Sequence, residues 1–239
     1  MSDDLRPGEC RVYWARPADE RPWHQRLLSA GERERRESLR RDEDKARQTV
    51  AAALLRVVAG RHLGEKPAAV RIDRSCTTCA VPHGRPTLPA GLEVSVSHSA
   101  DRIAVAVGLA GPLGVDVEHC QDQRDILGVA RLALCEAEIA ASAPLDQHGF
   151  YTYWTRKESV LKATGDGLRT AMTKIEVSLP AELPRLHRYD GRPEVVASAR
   201  MFTLAPGDGY QGALTVLGPA LEITEHDAAA LLADDTHAA

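Results

Sequence analysis

The order of apolar and polar positions predicts a mixed fold. CRVYWA (Cys10–Ala15) is the first strand candidate, LEVSVS (Leu92–Ser97) alternates as a half-buried strand does, and IAVAVGL (Ile103–Leu109) is a buried run. LGVDVE (Leu113–Glu118) follows after a GP turn. A long helical region spans about Leu27 to Leu63, charged in its first half (SAGERERRESLRRDEDKAR) and apolar in its second (TVAAALLRVVAGRHL). Gly64 and Pro67 end it. Residues 68–91 read as loops with a short strand in AAVRID. Two helical stretches follow, RDILGVARLALCEAEIAAS and GFYTYWTRKESVLKATG, the second stopped by Gly165. Strand candidates then stand at KIEVSL, around MFTL and at YQGALTVL, and from about Asp227 the chain reads as a frayed helix or tail. Each half holds a helical block and a few antiparallel strands, so the predicted class is α+β. The seam falls at LAGPLG, near residues 110–114, giving halves of residues 1–112 and 113–226 and a tail of 227–239. A cleft between two halves is the expected place for a ligand.

Composition narrows the classes. The 239 residues are 44% hydrophobic but only 4% aromatic, so the core rests on Ala, Val, Leu and Ile. A formal net charge of -4 argues against broad nucleic-acid binding. The charged helical half does not reverse this: from Arg26 to Arg47 eight Lys or Arg alternate with six Asp or Glu, the mixture of a solvated, ion-paired face. One or two of these arginines could still turn toward an anionic ligand. The longest runs without Asp, Glu, Lys or Arg are 13 residues, short of the roughly 18 that a membrane span needs. The N-terminus, MSDDLRPGEC, is acidic and lacks an apolar signal region. The expectation is a cytoplasmic protein with no membrane or nucleic-acid partner. Five cysteines, scattered except for Cys76 and Cys79, make no disulfide framework. CTTCAVPH offers half a zinc site with no second ligand pair at the usual spacing, and a reduced turn is the plainer reading.

Four short stretches carry candidate chemistry. In GVDVEHC, period two puts Asp116 and Glu118 on one strand face and Val115 and Val117 on the other. Two carboxylates side by side call for a cation, and magnesium prefers such oxygens. Alone, a D-x-E face is more often a solvated strand end. In WTRKESVLKATGDGL, Trp154, Glu158, Leu161 and Lys162 share a helix side, and Glu158 precedes Lys162 by four residues. That is a surface ion pair beside an anchored tryptophan, or a third metal ligand with a phosphate contact. SVSHSAD gathers Ser97, His98 and Ser99 at a strand end, and HGRP offers Gly84 for close approach, Pro86 for stiffness and Arg85 as a phosphate fork.

Together and in this order, the motifs closely resemble the surfactin-type 4'-phosphopantetheinyl transferases. The G-x-D-x-E motif reads Gly114, Asp116 and Glu118, and about forty residues on W-x-x-K-E-x-x-x-K-x-x-G-x-G-L reads Trp154, Lys157, Glu158, Lys162, Gly165, Gly167 and Leu168. Upstream, Gly84-Arg85-Pro86 and Ser97-His98-Ser99 match the family's G-K/R-P and S-H-S segments. The resemblance runs from about residue 10 to residue 220.

It implies a pseudo-twofold α+β monomer with its site between the halves. It also implies transfer of the phosphopantetheine arm of coenzyme A to a serine of an apo carrier protein, with adenosine 3',5'-bisphosphate released. On that resemblance Asp116, Glu118 and Glu158 would hold Mg²⁺. Glu158 would serve as general base, directly or through water, and Lys162 would neutralise the pyrophosphate. Arg85, with His83, Gly84 and Pro86, would border the adenine and phosphates, while Ser97 and His98 would contact the 3'-phosphate region. Lys157 is either structural or carrier-facing. Three departures stand out. In GERERRE the alignment favours Arg35 for the 3'-phosphate, but Glu32 occupies a position that is basic in relatives, with Arg33 a candidate substitute. Arg47-Gln48 stands where some relatives have a Thr after the Arg. VARLALCEAE lacks the aromatic pair that meets the carrier, leaving Arg124 and Arg131 as candidates for an acidic carrier helix. A coenzyme A- or carrier-binding protein without turnover and a zinc-stabilised interaction module are the other classes. The trimeric holo-acyl-carrier-protein synthase type is the alternative within the same chemistry.

Overall fold

The structure, a computed structural model, describes residues 5–75, 84–120, 126–142, 144–219 and 222–238. The chain forms two units, Met1–Leu109 with Glu222–Ala239, and Ala110–Leu221. In chain order the first unit begins with β1 (Glu9–Ala15), α1 (Ala30–Ser38), α2 (Asp42–Leu63), β2 (Glu93–Ser99) and β3 (Arg102–Gly108). The second unit holds β4 (Leu113–His119), α3 (Ile126–Ala133), α4 (Glu136–Ala141) and α5 (Gln147–Thr164). It continues through β5 (Ile175–Val177), β6 (Leu186–Tyr189), α6 (Pro193–Ser198), β7 (Ala199–Thr203) and β8 (Tyr210–Leu217). The chain then rejoins the first unit with β9 (Glu222–Asp227) and α7 (Ala229–Ala233).

The predicted helix over Leu27–Leu63 is two helices. Ser29 and Glu32 form a capping box that starts α1: the Glu32 amide donates to Ser29 Oγ at 3.3 Å and the Ser29 amide to Glu32 Oε2 at 2.8 Å. Leu39 and Arg41 are extended, and α2 restarts with Asp42, Glu43 and Asp44 in its first turn. Three carboxylates there complement the positive end of the helix dipole. The sequence carries this signal as DED, hidden within a run that reads as one charged face. In α2, every residue from Thr49 to Gly60 is buried.

The first unit's sheet has the order β2-β3-β1-β9. β1 pairs antiparallel with β3 but parallel with β9, a strand that the hydrophobic pattern does not mark. Val94 and Val96 of β2, Ile103, Val105 and Val107 of β3 and Tyr13 of β1 lie in register on one face. They share a core with Val50, Leu54, Val57 and Val58 of α2. Each such fully buried aliphatic side chain contributes about 1.5–3 kcal/mol. The assignment of residues 113–226 to the second half and 227–239 to a tail is corrected here. β9 is a sheet strand of the first unit, and Ala228 and Leu232 are completely buried in its core. His24, also buried, lies 3.0 Å through Nε2 from the Leu232 carbonyl and ties the C-terminal turn down.

The second unit has an antiparallel sheet, β4-β8-β7, and a two-stranded sheet, β5-β6. One side of α5 supplies Phe150, Tyr153, Val160 and Leu161 to a core completed by Ile175, Val177 and Leu186. β6 and α6 are further elements that the sequence pattern does not mark, whereas RDILGVARLALCEAEIAAS divides into α3 and α4 at the N-cap Cys135.

Candidate active site

The site is made by β4 and α5. Gly114, Asp116 and Glu118 lie on the β4 face that meets the helix, and Val115 and Val117 on the other face are fully buried. Gly114 is required by this contact. A Cβ there would fall 2.1 Å from the Ser159 carbonyl oxygen and 2.4 Å from the Ala163 amide nitrogen. Ser159 Oγ and Thr215 Oγ1 of β8 hydrogen-bond at 2.6 Å, and Thr152 Oγ1 donates to Gln211 Oε1 at 3.1 Å. The helix therefore lies directly on the backbone of the sheet, held by small polar side chains. One turn of α5 then carries Glu158 and Lys162 alongside the β4 carboxylates.

Lys162 Nζ donates to Asp116 Oδ1 at 2.7 Å and to the Val115 carbonyl at 3.0 Å. Asp116 is almost fully buried. Glu158 is pushed up from 4.5 to about 7, first by burial, then by the charge of Asp116, with Lys162 opposing and Glu118 adding to the rise. Two carboxylates thus act on Glu158 against one ammonium, and that ammonium is committed to Asp116. Such a donor set suits a hard divalent cation, because all three candidate ligands are carboxylate oxygens and their mutual repulsion is what a cation relieves. Among the described residues no three His, Cys, Asp or Glu side chains form a ready-made metal cage, so the carboxylates are neighbours rather than a closed cradle.

Lys157 resolves as structural. It is fully buried, and Nζ donates to the Ala133 carbonyl at 2.8 Å, the Met172 carbonyl at 3.1 Å and Glu138 Oε2 at 2.5 Å. Glu138 also accepts from the amides of Cys135 and Val177, both at 2.9 Å. One ion pair thus ties α5 to α4 and β5. Burial pulls the Lys157 ammonium below its usual range, with Glu138 opposing. At the end of α5, Gly165 takes φ 75°. Asp166 then accepts from Tyr189 Oη at 2.5 Å and from Arg192 Nη1 at 3.0 Å, which fixes the turn before Gly167 and Leu168.

The remaining candidates belong to the first unit. Arg47 is held by Asp44 at 2.6 Å, by Glu43 at 3.4 Å and by its Nε donating to the Ala100 carbonyl at 2.7 Å. It braces the β2–β3 turn, where Ala100 sits at φ 46°. The expectation that Ser97, His98 and Ser99 gather in one place does not hold. β2 runs through Ser99, so Ser97 and Ser99 share one face, with Ser97 buried, and the exposed His98 takes the other. Arg85 pairs with Glu93, Pro86 is buried, and Gly84 donates its amide to the Arg74 carbonyl at 2.8 Å. Arg35 is exposed on α1. Glu32, at the position expected to be basic, pairs with the buried Arg56 at 2.7 Å, and Arg33 donates to the Leu28 carbonyl. Arg131 is exposed on α3. His83, Arg124 and the CTTCAVPH stretch lie outside the described residues.

Residues 112–214 match the model of the 4'-phosphopantetheinyl transferase superfamily, a span that runs from β4 into β8 and contains all four residues of the cluster. Over 186 residues the chain is 30% identical to the 4'-phosphopantetheinyl transferase HetI of Nostoc sp., covering 74% of this chain and 73% of that protein. The chain belongs to this superfamily. A 4'-phosphopantetheinyl transferase of Bacillus subtilis is 29% identical over 70% of this chain and 75% of its own length. The transferase AcpT of Salmonella typhimurium is 33% identical over 52% of this chain and 67% of its own. As a superfamily member the protein is a transferase, with a mixed α+β fold. Sequence motifs located its carboxylates and Lys162. They did not point to Thr215, Gln211 or Glu138, which seat α5 from distant parts of the chain and carry no motif of their own. Among the described residues no helix is long and apolar enough to cross a membrane.

Proposed function

We propose that the protein is a surfactin-type 4'-phosphopantetheinyl transferase that moves the phosphopantetheine arm of coenzyme A onto a serine of an apo carrier protein. The observation that carries this reading is the seating of Glu158 and Lys162 against Asp116 and Glu118, made possible by Gly114. The serine oxygen bonds to the arm's phosphorus, the bond from that phosphorus to the bridging oxygen breaks, and adenosine 3',5'-bisphosphate leaves. Glu158 accepts the serine proton, directly or through one water; a carboxylate beside a divalent cation is a weak base, so its positioning supplies much of the rate. Lys162 supplies positive charge to the pyrophosphate and gives up part of its contact with Asp116 to do so. Asp116, Glu118 and Glu158 are the residues that would hold Mg²⁺, which when bound stabilises charge on the reacting phosphates. Arg35, Arg47, His83, Gly84, Arg85, Pro86, Ser97 and His98 would bind the nucleotide portion of coenzyme A. The protein would act as a cytoplasmic monomer, since one chain carries every motif.

The test is incubation with coenzyme A, Mg²⁺ and a panel of apo carriers, read by intact mass, with Glu158→Gln in parallel. A Mg²⁺-dependent gain of one phosphopantetheine arm, absent in the variant, is the expected result. Binding of coenzyme A with no gain on any carrier would replace the transferase with a non-catalytic binding protein of the same fold.

A further inference from the structure

Lys162 and Asp116 are unequal partners in their ion pair. Asp116 stands within β4 opposite Ala213 of β8, and its side chain is 5% exposed against 26% for Lys162. A short side chain on a paired strand keeps its carboxylate where the strand puts it. Lys162 reaches the pair over a flexible four-carbon stem. The root of that stem is fixed. A Cβ on Gly114 would fall 2.8 Å from the Lys162 Cβ, the Gly165 amide closes the helix on the Lys162 carbonyl at 3.3 Å, and Arg169 Nη2 donates to the Gly165 carbonyl at 2.9 Å. Of the two partners, the ammonium end of Lys162 is the one able to change its contacts.

That ammonium donates to Asp116 Oδ1 at 2.7 Å and to the Val115 carbonyl at 3.0 Å. Among the described residues, the charges that act on Glu158 are those of Asp116, Glu118 and Lys162, which sets one ammonium against three carboxylates. A buried carboxylate is unfavourable without a counter-charge, and for Asp116 Lys162 supplies it. A hard divalent cation seeks the same oxygens. An ammonium within hydrogen-bond distance of Asp116 repels such a cation and fills one of the directions from which the carboxylate would hold it. The two cannot both make their best contact with Asp116.

We infer that Lys162 competes with Mg²⁺ for Asp116, so that the protein alone holds the metal weakly and coenzyme A, by drawing the ammonium onto its pyrophosphate, opens the carboxylate to it. The inference rests on the proposed function for the identity of that substrate, whereas the competition itself rests on the ion pair. By linkage the effect is reciprocal, and whatever takes Lys162 off Asp116 tightens both ligands by the same factor. Asp116 thereby keeps a counter-charge at every stage, the ammonium first and the metal afterwards.

Calorimetric titration of Mg²⁺ into the full chain, Lys162→Gln and Lys162→Arg, with and without coenzyme A and with no carrier present, tests it. Gln retains a donor for Asp116 but no charge, and Arg retains the charge. Without coenzyme A, Lys162→Gln is expected to bind Mg²⁺ about 10-fold tighter than wild type, and Lys162→Arg within about threefold of wild type. Coenzyme A is expected to tighten Mg²⁺ by a larger factor in wild type than in Lys162→Gln. That difference separates the competition from direct contact between metal and pyrophosphate, which the two proteins share. Equal or weaker Mg²⁺ binding by Lys162→Gln overturns the inference. If Lys162→Gln does not fold, nitrogen NMR of the Lys162 ammonium in the wild type decides, with the resonance identified by its loss in Lys162→Arg. Saturating Mg²⁺ is expected to shift that resonance, and an unmoved one overturns the inference. Tighter Mg²⁺ binding by Lys162→Gln without arm transfer by the wild type on any carrier keeps the competition and removes the function. Arm transfer by the wild type with no gain in Lys162→Gln keeps the function and removes the competition.

Discussion

Replacing Glu158 by Gln should stabilise this protein at alkaline pH while abolishing its activity. Glu158 titrates near 7 in the folded chain against 4.5 for a free carboxyl, because burial and the neighbouring Asp116 and Glu118 disfavour its charge. A folded state that holds a proton more tightly than the unfolded state gains stability from it below about pH 4.5 and loses that gain as pH rises through about 7. The full shift corresponds to about 3.4 kcal/mol at roughly 1.36 kcal/mol per unit. Glu158 is only partly buried, so solvent screening reduces this to about 1–2 kcal/mol. Gln keeps the shape and cannot ionise. The expected result is a melting temperature about 3–6 °C above wild type at pH 8, converging with wild type at pH 4.5. Differential scanning calorimetry at the two pH values reads it. Mg²⁺ at pH 8 is expected to raise the wild-type melting temperature and to leave the Gln variant nearly unmoved, because the cation relieves the same repulsion. A pH-independent difference, or a less stable variant at pH 8, would refute the claim that crowded negative charge sets the state of Glu158.

Three further outcomes follow from particular contacts. Lys157→Met leaves Glu138 buried and unpaired, at a cost of about 3–5 kcal/mol in urea unfolding, and Lys157→Met with Glu138→Gln recovers part of it. A loss under about 1 kcal/mol would mean that the ion pair is not what joins α5 to α4. Gly114→Ala drives a methyl group into the Ser159 and Ala163 backbone, so arm transfer read by intact mass is expected to fall to background, and ordinary turnover would show that α5 can yield. Leu232→Ala removes a core side chain and should destabilise by about 2–5 kcal/mol in the same unfolding assay, whereas a true tail would show no change.

Much of the site is legible in the chain's own periodicities. Period two along β4 puts Asp116 and Glu118 on one face, and the four-residue spacing of α5 puts Glu158 beside Lys162. Both are properties of a single element. His98 does stand at the end of β2, but the strand runs to Ser99 and alternation sends Ser97 and His98 to opposite faces. The region over Leu27–Leu63 reads as one helix because mixed charge conceals the acidic first turn of α2 within it.

By itself the sequence determined the elements whose signal is local: the main strands, the helical blocks, the paired carboxylates and the glycine that ends α5. Tertiary structure alone decided what depends on partners far along the chain. It took Glu222–Asp227, with little apolar alternation, into a parallel pairing with β1, since strand pairing supplies backbone hydrogen bonds to any side-chain pattern. It buried Leu232 beneath His24 and made Lys157 half of an internal ion pair. Among a crowd of similar arginines, it committed Arg47, Arg56 and Arg85 to carboxylates and Arg33 to a carbonyl. Spacing along a chain fixes which side chains share a face, but the charge and burial each one meets are set by the elements folded against it.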